Sequence, residues 1–201
     1  WIFMLGTLVL AYFAGRREQN VVALYLMMLI SVPCFSQPLP GFGGINFLFD
    51  AHHESMIALG LLLPAAFHYY RKGNGRDESL RLPDRFIACL VIWNAVRNGL
   101  GGGATEFLRA AFYQIIDVAL PWYVASRCFR SIERFREAMA VFAVATVIVG
   151  AIAIFETWRG WLLYQELRYG LGLPAPTYFL YLQRGTLGLM RAQSTLMQPI
   201  V

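Results

Sequence analysis

The sequence predicts an all-α fold, a polytopic bundle of about six to seven transmembrane helices, and three observations lead to it. Hydrophobic residues make up 58% of the chain and charged residues only 14%, whereas soluble domains carry about 25% charged residues. The apolar residues are gathered in long blocks, and these blocks do not alternate with a period of two as barrel strands do. Inside a bilayer they must be helices, because only helices and closed barrels satisfy every backbone polar group.

Each complete apolar block is close to the length of a tilted or slightly shortened spanning helix. The blocks cover residues 1–14, 20–35, 54–70, 86–100, 109–126 and 138–156, and a last one begins near residue 192. The first block is shorter than the ~20 residues of a spanning helix. We therefore expect one transmembrane domain over residues 1–201 that is truncated at both ends.

Lysine and arginine are unevenly distributed among the loops between these blocks. The odd-numbered loops carry clearly more of them than the even-numbered loops, and the positive-inside rule places the richer set in the cytoplasm. The segment 71–85 is thus predicted to be a cytoplasmic loop. The long segment 157–191 is predicted to be an outer loop, in the periplasm of a Gram-negative host.

The net charge of +5 does not indicate a nucleic-acid partner, because the basic residues lie in short loops, where membrane insertion requires them. His52, His53 and Glu54 open the third block. Adjacent helical side chains point about 100° apart, unlike the i, i+4 histidines of a zinc enzyme, so no metal is expected here. These residues either cap the helix or, as with His53, form the polar wall of an outward cavity.

Charges at membrane depth are costly and need a reason. Asp117 lies within the fifth block and Arg97 toward the outer end of the fourth. A short glycine-rich turn makes these blocks antiparallel neighbours, so an Arg97–Asp117 pair is conceivable, and the alternative is a polar tie between helices without further function. Gln198, where the chain re-enters the membrane, is a further candidate for the same polar cavity.

Two arginines mark the exit of the outer loop. Arg184 and Arg191 stand seven residues apart, on one face if this segment is helical. Guanidinium groups bind phosphate oxygens bidentately and keep their charge, which suits a diphosphate ligand. The alternative is a pair of arginines that only extend toward the membrane interface.

The segment with these arginines resembles the O-antigen ligase and O-antigen polymerase family of bacterial polytopic membrane glycosyltransferases. The similarity covers most of the chain but only the N-terminal half of the family. It rests on Tyr178…Arg184-Gly185…Leu189-Met190-Arg191-Ala192…Pro199-Ile200, on Gly43-Gly44-Ile45-Asn46…Leu61-Leu62-Leu63-Pro64, and on Asp117-Val118-Ala119-Leu120-Pro121…Ser126-Arg127…Ser131-Ile132-Glu133-Arg134-Phe135.

The resemblance implies a GT-C-like, multi-pass enzyme of the bacterial inner (cytoplasmic) membrane. Such an enzyme transfers or polymerises an undecaprenyl-diphosphate-linked glycan at the periplasmic face, onto another glycan, lipid A-core or a protein, without a metal or other cofactor. Arg191 best matches the arginine that holds the donor diphosphate and acts in catalysis, and Arg184 is second. Gln193 and Ser194 depart from the glycine that often follows the Arg-Ala pair, and Gln198 stands where relatives often carry histidine. The catalytic histidine itself is expected in the C-terminal half of the family.

Two functions from other classes stay open. A transporter or flippase for the same lipid-linked glycans would need a charged cavity through the membrane, and the sequence offers few charges at that depth. A non-catalytic membrane subunit is the third possibility. In each case the partners are the lipid-linked glycan and the membrane lipids.

Overall fold

The computed structural model describes residues 2–33, 36–40, 47–72, 78–163, 170, 183–184 and 189–190. Most of these residues are helical, and the strands form two short antiparallel hairpins. The helices are α1 (Ile2–Arg17), α2 (Val21–Ser31), α3 (His53–Ile57), α4 (Leu63–Arg71), α5 (Arg81–Tyr113), α6 (Leu120–Cys128) and α7 (Ile132–Arg159). The strands are β1 (Ser36–Pro40), β2 (Phe47–His52), β3 (Gln183–Arg184) and β4 (Leu189–Met190).

Two π-helical turns interrupt the helices, and each ends two residues before a proline. The first, π1 (Ala58–Leu62), joins α3 to α4 and precedes Pro64. The second, π2 (Gln114–Ala119), joins α5 to α6 and precedes Pro121. Proline has no N–H and its ring crowds the carbonyl four residues earlier, so a locally widened turn relieves the clash. Such turns are frequent at functional sites.

Helix α5 folds back on itself at Gly103, where φ is +83° and ψ is −171°. Glycine adopts this backbone conformation without the steric cost that a side chain would bring. The two halves then lie against each other, since a Cβ placed at Gly99 would meet the Cβ of Phe107 at 2.8 Å. The Asn94 side-chain nitrogen also donates to Gln114 Oε1 at 3.5 Å. The glycine-rich segment therefore makes an antiparallel helical hairpin.

The main hydrophobic core lies where α1, α2, π1 and α6 meet. Ile57, Leu61 and Leu62 are almost fully buried there, together with Val124 from α6. Gly60 permits the close approach of α1, because a Cβ at this position would lie 2.7 Å from the carbonyl oxygen of Leu8. The third apolar block of the sequence is thus covered by other helices of the same chain.

Most of the apolar surface of helix α7 is uncovered. It contains 28 residues and its mean hydropathy reaches 2.6. Only 11% of its most apolar stretch is buried, and Val147 and Ile154 are more than 70% exposed. Ser131 caps its first turn by accepting from the Arg134 N–H at 3.3 Å. Gly160, with φ +65°, ends it.

The prediction of a bundle of six to seven membrane spans is wrong. Within the part of the chain that the structure describes, α7 is the one helix long and apolar enough to cross a membrane, and multi-pass insertion is not supported. Helix α2 has 11 residues, which rise about 17 Å against a hydrocarbon layer of ~30 Å. Helix α1, with 16 residues, is also shorter than the ~20 residues of a spanning helix. The α3–π1–α4 segment contributes to the hydrophobic core of the protein. The all-helical expectation also missed the β1–β2 hairpin.

We expect α7 to cross the membrane with its first turn in the cytoplasm. Arg130, Arg134 and Arg136 lie at its beginning, and Trp158 and Trp161 at its end, as the positive-inside rule and the aromatic belt require. Single cysteines at Glu133 and Arg159, in a background without the natural cysteines, can be probed with an impermeant maleimide. In intact spheroplasts only Arg159→Cys should react. Reaction of both cysteines would mean that α7 does not cross.

Candidate active site

A group of polar side chains lies where the β1–β2 hairpin meets α3 and π2. At its centre the Ser55 hydroxyl donates a hydrogen bond to Asp117 Oδ1 at 2.8 Å. Ser55 is completely buried, and Asp117 is partly buried. Ser55 lies in α3 and Asp117 in π2, so this contact joins two segments that are distant in the sequence.

The local backbone explains how Asp117 reaches this position. It stands four residues before Pro121, at the residue whose carbonyl a proline disturbs in a regular α-helix. The π2 turn accommodates that disturbance. It also re-aims the side chains of the turn, because an extra residue per turn rotates those that follow.

Burial raises the pKa of the Asp117 carboxyl, and the hydrogen bond from Ser55 and the nearby His52 oppose that rise. Removal from water disfavours the charged form, while a donor bonded to the carboxylate favours it. The result is a carboxylate that binds a proton more readily than a hydrated aspartate. This property suits a general base.

Tyr113 adds a second hydroxyl to the group. It donates to the carbonyl oxygen of Asp50 at 3.2 Å and accepts from the Asp50 N–H at 2.6 Å. Its ring centroid lies 5.6 Å from that of His52. Burial raises the pKa of the phenol, so Tyr113 stays protonated. It ties strand β2 to the end of α5 and holds His52 beside the carboxylate.

Two further polar groups border the site. Burial, followed by the neighbouring His52, lowers the pKa of His53 to about 4, so this imidazole is neutral at physiological pH. Burial, then Asp117 and Glu54, raise the pKa of Tyr25 to about 12. Tyr25 is therefore a permanent hydroxyl donor. Among the described residues around Asp117, the site presents neutral donors and no lysine or arginine.

The residues singled out from the sequence are only partly brought together. His53 lies two residues before Ser55, at the border of the Asp117 site. Arg97 is exposed on α5 and makes no ion pair in the described ranges, and the partner of Asp117 is Ser55 instead. The Asn94–Gln114 contact sets the register of the hairpin. With this register, Asp117 lies level with Val91 on the other half of the hairpin. Arg97 is six residues from Val91, which is roughly 9 Å along the helix axis.

The predicted diphosphate ligands lie mostly beyond the described residues. Arg184 is placed by its backbone alone, in β3, which pairs with β4. Arg191 and Gln198 fall outside the described residues, so their assignment stays a prediction.

Sequence reasoning missed Ser55 and Tyr113 as members of the site, whereas His52 was named with His53 at the start of the third block. Ser55 and Asp117 are 62 residues apart, and a lone serine near the start of a helix ordinarily serves the helix end. The sequence signal that could have pointed to this site was Pro121, four residues after Asp117. It marks a disturbed helical turn, but it does not identify the partner.

A second buried polar contact lies at the start of α5. The Arg127 guanidinium binds Asp84 in a two-point arrangement, with Nη2 2.5 Å from Oδ2 and Nη1 3.2 Å from Oδ1. It also stacks on the Tyr123 ring, with 3.8 Å between Cζ and the ring centroid. The Arg127 side chain is 1% exposed and that of Asp84 is 32% exposed. These contacts join α6 to α5. They explain the burial of the Arg127 charge, so no bound ligand is needed to explain it.

Metal binding finds no geometric basis in the residues that the structure places, since no three His, Cys, Asp or Glu side chains there could share an ion. No protein-family model matches this chain, and neither a curated protein nor a solved structure is significantly similar to it. The resemblance to the O-antigen ligase and polymerase family therefore stays a prediction from its motifs.

Proposed function

We propose that this chain is part of a membrane glycosyltransferase that moves a glycan from undecaprenyl diphosphate to an acceptor hydroxyl. The observation that carries the proposal is the Ser55–Asp117 hydrogen bond of 2.8 Å in a shielded site. Asp117 supplies the proton acceptor that an attacking hydroxyl needs. The nature of the donor rests on the resemblance described above.

In the proposed reaction the acceptor oxygen forms a bond to the anomeric carbon of the donor sugar. The bond between that carbon and the diphosphate oxygen breaks, and undecaprenyl diphosphate leaves. Asp117 takes the proton of the acceptor hydroxyl, and Ser55 orients the carboxylate through its hydrogen bond. General-base assistance of this kind typically contributes about 10²- to 10⁴-fold.

The leaving diphosphate needs positive charge, which the described residues of the Asp117 site do not provide. Arg191 and Arg184 are proposed to hold it, by analogy with the family, because guanidinium groups bind phosphate oxygens bidentately. Arg184 lies in β3, and its partner strand β4 contacts α7. The site is proposed to act at the surface of the bacterial inner membrane.

The test is glycan transfer by the full-length protein in proteoliposomes. The donor is a radiolabelled oligosaccharide on undecaprenyl diphosphate, and the acceptors are a free glycan, lipid A-core and a peptide. A covalent acceptor–glycan product is the expected result. Label that crosses the bilayer while still attached to undecaprenyl diphosphate would favour a flippase. If no product forms and no label crosses the bilayer, a non-catalytic subunit is favoured.

A further inference from the structure

A cavity of about 680 Å³ lies between α1, π1, α4 and the first turn of α7, away from the Asp117 site. Its size is within the usual range of small-ligand sites, about 300–1,000 Å³. The floor is buried and apolar, formed by Val21, Gly60, Leu61 and Ala65. Because no side chain of the described interior fills it, the cavity is a candidate binding site.

The walls of this cavity are basic. Arg16 from α1, Lys72 from the end of α4 and Arg134 from α7 all line it, and among the described lining residues only Glu18 is acidic. The Glu18 carboxylate accepts from the backbone N–H groups of Gln19 and Asn20, at 3.2 and 3.5 Å. Within the described residues none of the three cations forms an ion pair with a carboxylate. The described lining of the cavity therefore carries a net positive charge.

Specific contacts hold these cations around the same space. The Arg16 guanidinium lies 4.8 Å from the centroid of the Tyr12 ring. The Asn20 side-chain nitrogen donates to the carbonyl oxygen of Arg134 and to Glu137 Oε2, both at 2.8 Å. These bonds attach the turn that follows α1 to the beginning of α7. They hold the backbone of Arg134 in place, and both Arg134 and Arg16 line the cavity.

Hydroxyl and imidazole groups complete the lining. Tyr69 and His68 lie on α4 beside Lys72. Burial, followed by the neighbouring Cys128, raises the pKa of Tyr69 to about 12, so its hydroxyl remains a donor. Three cations and a hydroxyl donor above an apolar floor match a phosphate group better than a carboxylate. Phosphate offers more oxygens to separate donors.

We propose that this cavity binds a phosphate-bearing molecule, whose phosphate contacts Arg16, Lys72 and Arg134. The phosphate can belong to an anionic lipid headgroup or to a soluble phosphate ester. Arg134 stands in the first turn of α7, the candidate membrane helix. A lipid headgroup would therefore reach the cavity from the membrane surface, while its chains stay in the bilayer. This site is independent of the proposed glycan transfer.

The lipid arm of the test uses the full-length protein in phosphatidylcholine nanodiscs with a minor fraction of phosphatidylglycerol. Retained phosphatidylglycerol is counted by native mass spectrometry. Lys72→Gln and Arg134→Gln should each weaken retention about tenfold, because each removes a charge-assisted hydrogen bond to the bound phosphate. Arg17→Gln and Arg136→Gln are matched controls. They remove the same charge from neighbouring residues that do not line the cavity, and should leave retention near the wild-type level.

The soluble arm uses the same proteins in neutral detergent, titrated calorimetrically with inorganic pyrophosphate. Binding that only the cavity variants weaken supports the site. If it is seen only in the lipid arm, the ligand is a lipid headgroup, and if it is seen only in the soluble arm, the ligand is a phosphate ester. The proposal is overturned if neither ligand binds, or if cavity and control variants weaken binding equally. The variants replace exposed side chains, and their thermal unfolding confirms that any loss of binding is not a loss of fold.

Discussion

Replacing Asp117 by asparagine should lower glycan transfer by about 10²- to 10⁴-fold, the typical contribution of a general base. The amide has nearly the shape of the carboxylate and can still accept the hydrogen bond from Ser55, which is 2.8 Å long in the native protein. It cannot take up a proton from an acceptor hydroxyl. Initial transfer rates in proteoliposomes, at equal protein incorporation, measure the effect.

Glu54→Gln is the matched control for this loss. Glu54 adjoins Ser55 in α3, but its side chain is exposed, so removing its charge should leave the rate near the wild-type value. Full activity of Asp117→Asn would exclude Asp117 as the base. Equal losses in the two variants would point to a general effect of negative charge near α3.

Asp84→Ala should lower the free energy of unfolding by about 3 kcal/mol. Removing one partner of a buried ion pair typically costs about 3–5 kcal/mol, because the other charge is left uncompensated. Arg127 is the buried partner, with 1% of its side chain exposed. We expect the lower end of that range because Asp84 is 32% exposed and its removal admits water. Thermal unfolding in mild detergent measures the loss.

Arg127→Met should cost less than Asp84→Ala, because the carboxylate left behind by the first change is 32% exposed and better hydrated than the guanidinium left behind by the second. The hydrogen bond from Arg127 lowers the pKa of Asp84 below its usual value. The pair therefore stabilises the fold fully above the ordinary aspartate pKa of about 3.9. That stabilisation is lost as the pH falls through the lowered pKa of the folded protein. Arg127→Met being the more damaging change would contradict this assignment.

The positions of the helices could largely be read from the apolar blocks, but their surroundings could not. The block predicted over 54–70 corresponds to α3, π1 and α4, which run from His53 to Arg71. Leu61, in its centre, is 2% exposed because α1 and other helices cover it. An apolar residue is removed from water equally well by protein or by lipid. Hydrophobicity alone therefore overestimated the number of spans.

The β1–β2 hairpin could not be foreseen for a different reason. Strand β1 contains Pro38 and Pro40, and proline is depleted in strands because it donates no ladder hydrogen bond. The irregular register between these prolines shows how the pairing tolerates them. The hairpin becomes part of the site through the contact of Asp50 in β2 with Tyr113.

The candidate site was half predictable. A carboxylate within an apolar block, as Asp117 is, demands a partner, and the structure provides one. The partner proposed from the sequence was Arg97, on the adjacent half of the hairpin. The register of the hairpin is set by the Asn94–Gln114 contact. This register depends on the point at which Gly103 reverses the chain. Spacing along the sequence does not contain that information.

The pH dependence of transfer by the wild type and by Ser55→Ala tests most directly whether Asp117 is the base. The base must be ionised, so transfer should fall as acid protonates Asp117. Burial raises its pKa, so the midpoint should lie above the ordinary aspartate value of about 3.9. The Ser55 hydrogen bond opposes that rise, and Ser55→Ala should therefore move the midpoint to still higher pH. A wild-type profile without this acidic fall, or a midpoint that Ser55→Ala leaves unchanged, would contradict the assignment.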